Sequence, residues 1–61
     1  MTWAELIRRL KAAGFVEQRA GKGSHVKLAH PRTGKEIWVS IQTKKEVGRL
    51  ANRILKDAGL L

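Results

Sequence analysis

The segment 21–25, which reads Gly-Lys-Gly-Ser-His, holds the residue types in this sequence best suited to chemistry. It brings one histidine to the start of a predicted strand, just after a lysine flanked by glycines. Imidazole is the one side chain that exchanges a proton near neutral pH without help from its surroundings. A lysine on a flexible turn attracts anions. The segment therefore predicts a histidine that acts on a phosphodiester.

The charge of the whole chain favours an anionic partner. The chain has thirteen Lys and Arg residues and five Asp and Glu residues, which gives a net charge of +8 over 61 residues. Nucleic acid is the leading partner class, and an acidic protein stays open. An anionic membrane fits less well, because the apolar residues are needed for the core and no predicted helix is basic on one side with large exposed aromatic residues on the other. No apolar run approaches the ~20 residues of a membrane span. The absence of cysteine is compatible with a cytoplasmic location, which we expect, together with the absence of a signal peptide.

Two capping boxes predict the two helices. Thr2 and Glu5 have the Thr-x-x-Glu form, and apolar residues recur after them at helical spacing, which predicts a helix over residues 2–13. Thr43 and Glu46 repeat the form and predict a second helix that ends at Gly59. The predicted core face of this helix comprises Val47, Leu50, Ala51, Ile54, Leu55 and Ala58. Its opposite face carries a basic row, either solvated or bound to phosphate, made of Lys45, Arg49, Arg53 and Lys56.

Alternation of apolar and polar residues predicts three strands between the helices, over about residues 15–20, 25–28 and 37–41. Short connections favour an antiparallel sheet with both helices on one face, so we expect a single domain, 1–61, with an α+β two-layer fold. In the last two strands the residues predicted to face the helices are Val26, Leu28, Ile37, Val39 and Ile41.

The parity of the strands places His25, Lys27, Trp38 and Ser40 on the uncovered face of the sheet. A tight turn centred on Lys22 would set Arg19 opposite His25 and Glu17 opposite Lys27.

This uncovered face suits a partly single-stranded nucleic acid. Arg19, Lys22 or Lys27 can contact phosphate, and Trp38 can either stack on a base or be covered by a protein partner. His30 lies five positions after His25, which sends the two side chains to opposite faces, and we assign it to the turn. The acidic residues are dispersed, so we expect neither a metal ion nor another cofactor.

Several short motifs occur in an order and spacing that together are informative. They are Gly23-Ser24-His25 at the second strand, His30-Pro31 and Gly34 in the next turn, and Arg-Ile-Leu-Lys-Asp-Ala-Gly over residues 53–59. With Leu6-Ile7 and Gly14-Phe15, they resemble the HicA toxin family, also called YcfA-like mRNA interferases, over nearly the whole chain.

The resemblance implies a double-stranded-RNA-binding-domain-like α-β-β-β-α fold and an mRNA-cleaving ribonuclease that a HicB-type antitoxin neutralises. It also implies that His25 is the catalytic residue. We expect a monomer apart from the antitoxin. The predicted RNA-binding residues are Arg19, Lys22, Ser24, Lys27 and Trp38.

The simplest reaction for one histidine without a metal is attack on the phosphodiester by the neighbouring 2′-hydroxyl of RNA. Neutral His25 would remove the hydroxyl proton, and cations would stabilise the charge of the phosphorane. The donor of a proton to the leaving oxygen stays open among this histidine, water and a lysine. Two other functions stay open as well: a non-catalytic RNA-binding module and an interaction module for an acidic protein.

Overall fold

The computed structural model describes residues 1–20 and 23–61, with only the backbone described for residues 19 and 20. The described residues form two helices and three strands: α1 (Trp3–Ala12), β1 (Val16–Ala20), β2 (His25–Ala29), β3 (Glu36–Ser40) and α2 (Leu50–Asp57). The strands pair antiparallel in the order β1-β2-β3. The predicted α+β fold is confirmed.

A buried cluster joins both helices to one face of the sheet. Its members are Leu6, Leu10, Phe15, Leu28, Ile37, Val39, Ile54 and Leu55. The predicted helix-facing side of β2 and β3 is confirmed. Ile41 lies beyond the end of β3, where it borders a cavity with Ile7 of α1. It is 54% exposed rather than buried, because the chain turns directly after the strand and the Thr43 N–H donates to the Ile41 carbonyl at 2.9 Å.

The Thr2 cap forms as predicted. The Thr2 hydroxyl accepts a hydrogen bond from the Glu5 N–H at 3.3 Å, and α1 begins at the next residue, Trp3. The helix ends at Ala12, and Gly14 follows it with a φ of +107°.

The second capping box does not cap a helix, so that prediction was wrong. The backbone carbonyls of Thr43 and Lys45 instead accept hydrogen bonds at 3.1 and 3.0 Å from the N–H groups of Ala4 and Trp3. Those two N–H groups lie in the first turn of α1, where no partner exists within the helix. Segment 43–46 therefore runs beside the start of α1, and α2 begins only at Leu50.

The late start of α2 changes two predicted surfaces. Lys45 and Arg49 lie outside the helix, so the predicted basic row does not share one helical face. Leu50 is 54% exposed rather than part of the core. Neither described helix has the length and apolar character needed to cross a membrane.

Candidate functional site

His25 is the first residue of β2, and its side chain is exposed on the sheet face that the helices leave open. The register places His25 opposite Ser40 and Lys27 opposite Trp38. Directly opposed residues point to the same side of a sheet, so these four side chains share the open face, as predicted.

The end of the sheet that carries His25 is held by backbone and hydroxyl contacts. The Ile41 N–H donates to the Ser24 carbonyl at 2.8 Å, which extends the pairing of β2 and β3 past His25. The Ser40 hydroxyl oxygen accepts from the Gln42 N–H at 3.0 Å. The hydroxyl of Ser40 keeps its own proton for donation, because this bond uses only an oxygen lone pair. His25 thus lies opposite Ser40, whose hydroxyl oxygen is held by the Gln42 N–H and whose hydroxyl proton is still available to a ligand.

Lys27 lies in a contact that the sequence patterns did not indicate. Its Nζ is 3.2 Å from Oε2 of Glu36 and 6.0 Å from the centre of the Trp38 ring. Glu36 is the diagonal neighbour of Lys27 across the β2–β3 pair, a position within reach of long side chains. Knowledge of the register would have revealed the pair. The positive charge of Lys27 is therefore partly offset by a carboxylate on the same face.

The predicted register of the first hairpin was wrong. Glu17 pairs with Leu28 rather than with Lys27, Ala20 pairs with Val26, and the register shifts between these two pairs. Such a bulge inserts an extra residue into one strand and moves the following pairs by one position. Glu17 consequently lies on the helix side, where its carboxylate is 3.6 Å from Nζ of Lys11 in α1.

Two predicted phosphate-binding side chains, those of Arg19 and Lys22, lie outside what the structure describes. Ser24 is half-buried beside His25, and its carbonyl carries the contact to Ile41.

Trp38 is 52% exposed and borders a groove between β3 and α2. The groove has a volume of about 440 Å³, and the late start of α2 exposes Leu50 in its wall. The residues lining it are Lys35, Glu36, Ile37, Trp38, Leu50, Ile54 and Asp57. Sequence patterns did not indicate this groove, because they placed Leu50 in the core.

His30 lies away from His25, and contacts within the fold hold its ring in place. Its Nε2 donates to the Ala13 carbonyl at 3.1 Å, and its Nδ1 accepts from the Arg32 N–H at 3.2 Å. The ring also meets Phe15 edge to face, with the centroids 5.1 Å apart. His30 therefore joins the end of α1 to the β2–β3 turn. Across residues 1–20 and 23–61, no three His, Asp or Glu side chains are grouped to hold a metal ion.

The fold and this site define a class: small, basic α+β proteins of order α-β-β-β-α that present one exposed imidazole from the open face of a sheet. The family model described as HicA toxin of bacterial toxin-antitoxin matches residues 3–60. The chain belongs to this family, and the resemblance seen in its motifs is confirmed. It is a toxin of the toxin-antitoxin type, a class that implies an antitoxin partner. No curated protein and no solved structure matches the chain.

Proposed function

We propose that this toxin is an endoribonuclease that cleaves mRNA, with His25 as its general base, and that a HicB-type antitoxin neutralises it in the cytoplasm. The observation that carries the proposal is the exposed His25 on the open face of a chain of net charge +8 that belongs to a toxin family. A positive surface concentrates a polyanion near the imidazole. The whole chain, 1–61, acts in this proposal as a single domain.

The reaction follows from what an imidazole and RNA can do together. Neutral His25 takes the proton of a 2′-hydroxyl, and the oxygen attacks the adjacent phosphorus. The bond from phosphorus to the 5′-oxygen breaks, leaving a 2′,3′-cyclic phosphate on one product and a 5′-hydroxyl on the other. The 5′-oxygen takes its proton from the histidine, from water or from a lysine. The Ser40 hydroxyl can donate to a phosphate oxygen as negative charge grows there.

The proposed RNA contacts divide the open face into two parts. Near His25, the Ser40 hydroxyl offers a polar contact without an acidic side chain opposite it. Ser24 remains a proposed contact at the end of the sheet, although its position next to His25 directs its side chain to the other face. Further along, Trp38 can stack on a base, but Glu36 accompanies Lys27 there. We therefore place the scissile phosphate at the His25 end of the face. Arg19 and Lys22 remain proposed phosphate contacts.

Three versions of one single-stranded oligonucleotide test the proposal: RNA, DNA and 2′-O-methyl RNA. Only RNA has the 2′-hydroxyl that the mechanism needs, so we expect cleavage of RNA alone, with 2′,3′-cyclic phosphate ends identified by mass spectrometry. The three strands should bind with similar affinity, since phosphate contacts dominate binding. Cleavage of DNA would contradict the mechanism, and binding of RNA without cleavage would support a non-catalytic module instead.

Substitution Glu36→Gln should strengthen RNA binding. The change removes the carboxylate that lies 3.2 Å from Nζ of Lys27 and leaves that ammonium free to contact phosphate. One added phosphate contact steepens the dependence of log affinity on log salt concentration by up to about 1. Fluorescence anisotropy with labelled RNA at several salt concentrations measures this slope.

The matched control is Glu17→Gln, which removes the same charge from the ion pair with Lys11 on the helix side. Both substitutions raise the net charge by one, so a general electrostatic effect would be equal in the two variants. An equal change of slope would show that Lys27 does not contact the RNA phosphates.

A further inference from the structure

The outer edge of β3 offers unpaired backbone groups. The His30 N–H donates to the Lys35 carbonyl at 2.9 Å, and the Ile41 N–H donates to the Ser24 carbonyl at 2.8 Å. In an antiparallel pair, hydrogen-bonded residue pairs alternate with pairs that are not hydrogen-bonded. The bonds at the two ends of β3 show that Ile37 and Val39 belong to the hydrogen-bonded pairs. The intervening pairs, which contain Glu36, Trp38 and Ser40, are therefore not hydrogen-bonded to β2. The N–H and C=O groups of these three residues point away from β2, toward the outer edge.

Nothing in the part of the chain that the structure describes pairs with this edge, since β3 is the last strand of the sheet. Exposed edges of this kind bind extended peptides, which add a strand to the sheet. Five residues of β3 supply three outward-facing peptide units, at Glu36, Trp38 and Ser40. That is enough for one short added strand.

The groove beside the edge matches the side chains of such a strand. Successive residues of a strand point to opposite faces, so one set of side chains would lie toward α2 and the other toward the open face. On the α2 side the groove offers Leu50, which is 54% exposed, and Ile54. On the open side it offers Trp38, which is 52% exposed. Apolar side chains on an added strand would therefore have an apolar neighbour on each face.

The charges around the groove favour protein over RNA as its occupant. Glu36 and Asp57 place two carboxylates in the lining, against one ammonium from Lys35. That ammonium donates to the Asp57 carbonyl. Because Lys27 also pairs with Glu36, the carboxylate and ammonium charges at the groove balance, so the groove offers a phosphate backbone no net positive charge, unlike the chain as a whole.

The net charge of +8 decides between a second copy of this chain and an acidic partner. Two copies would bring two strongly positive fields together, whereas an acidic protein is steered toward the toxin over a distance. We infer that an extended apolar segment of an acidic antitoxin binds as a fourth strand along the outer edge of β3, with its side chains in the groove between β3 and α2.

This inference rests on the proposed function for the antitoxin, and it explains how inhibition would occur. Ser40, at the end of the edge, is the residue directly opposite His25. A strand bound along β3 would lie next to Ser40, with β3 between it and His25, and its side chains on the open face would obstruct RNA that crosses Ser40 to reach the imidazole. The site of the antitoxin can nevertheless be tested without any cleavage, by using the His25→Ala chain throughout.

The first experiment measures binding of an acidic HicB-type antitoxin to the His25→Ala chain. Leu50→Ser should weaken the complex at least about tenfold in isothermal titration calorimetry, which corresponds to about 1.4 kcal/mol, because it puts a hydroxyl where the added strand would bury its apolar side chains. Val16→Ser is the matched control, since Val16 is also 54% exposed but lies on β1, at the opposite edge of the sheet. It should change the dissociation constant less than about twofold. Circular dichroism checks that both variants keep the fold.

The second experiment measures amide exchange by NMR. The amides of Glu36, Trp38 and Ser40 should exchange rapidly in the free toxin and at least about a hundredfold more slowly in the complex. The amides of Ile37 and Val39 face β2 and should be protected in both states.

Four results would overturn the inference. They are the absence of a complex, equal losses from Leu50→Ser and Val16→Ser, unchanged exchange at the three edge amides, and slowed exchange on addition of RNA alone. A concentration-dependent dimer that Leu50→Ser abolishes would assign the edge to a second copy instead. None of these results depends on whether the toxin cleaves RNA.

Discussion

Replacement of His25 by alanine should lower the rate of RNA cleavage by at least about a hundredfold, because a positioned general base contributes ~10²–10⁴ to such reactions. RNA affinity should stay nearly unchanged, since phosphate contacts dominate it. The fold should also persist. The His25 side chain is exposed and has no hydrogen bond to any residue that the structure describes, so its removal leaves no buried group unpaired. Single-turnover cleavage at saturating enzyme separates this loss of rate from a loss of binding.

His30→Ala is the control for His25→Ala, since it removes the other imidazole of the chain. It deletes the hydrogen bonds to Ala13 and Arg32 and the edge contact with Phe15. We expect a lower free energy of unfolding, by about 1–3 kcal/mol, because the half-buried Ala13 carbonyl loses its donor and the buried Phe15 ring loses its edge contact. The remaining folded protein should cleave RNA at the wild-type rate. If the His25→Ala variant cleaved at that rate, the proposed role of His25 would be wrong.

The parts of the fold that the sequence predicts correctly depend on neighbours in the chain. The cap at Thr2 and the end of α1 near Gly14 need only contacts within a few residues. The open-face position of His25 follows from the alternation along β2, which also explains its separation from His30.

The errors occur where distant segments decide the structure. Thr43 and Glu46 form the same local pattern as Thr2 and Glu5, but the carbonyl of Thr43 bonds to the first turn of α1 instead. A local sequence pattern does not show that a distant segment will bind these backbone groups instead of a helix cap. The bulge in β1 likewise places Glu17 opposite Leu28, and no residue pattern in the sequence predicts this bulge. The Lys27–Glu36 pair and the exposure of Leu50 depend on these long-range arrangements as well.

Substitution Gly14→Ala should be among the most destabilising single changes in the chain. Gly14 has a φ of +107°, a region that residues with a Cβ rarely adopt, and an added Cβ would lie 2.8 Å from Nε2 of His30. The ring has little room to retreat, because hydrogen bonds hold it to Ala13 and Arg32 and Phe15 packs against it. Backbone strain of about 1–3 kcal/mol together with the displaced ring gives an expected loss of about 2–4 kcal/mol. Urea denaturation followed by tryptophan fluorescence measures it.

Two further variants separate the strain from the clash. Gly34→Ala also places alanine at a positive φ, +77°, but an added Cβ there has no atom within 4 Å, so we expect a loss of only about 1 kcal/mol. In the double variant Gly14→Ala, His30→Ala, the ring that meets the new methyl is gone, so the combined loss should be smaller than the sum of the two single losses by about 0.5–3 kcal/mol. Strict additivity, or equal losses at Gly14 and Gly34, would show that His30 does not constrain the chain at the end of α1. Because this contact lies away from the open face, the folded fraction of each variant should keep the cleavage rate set by His25.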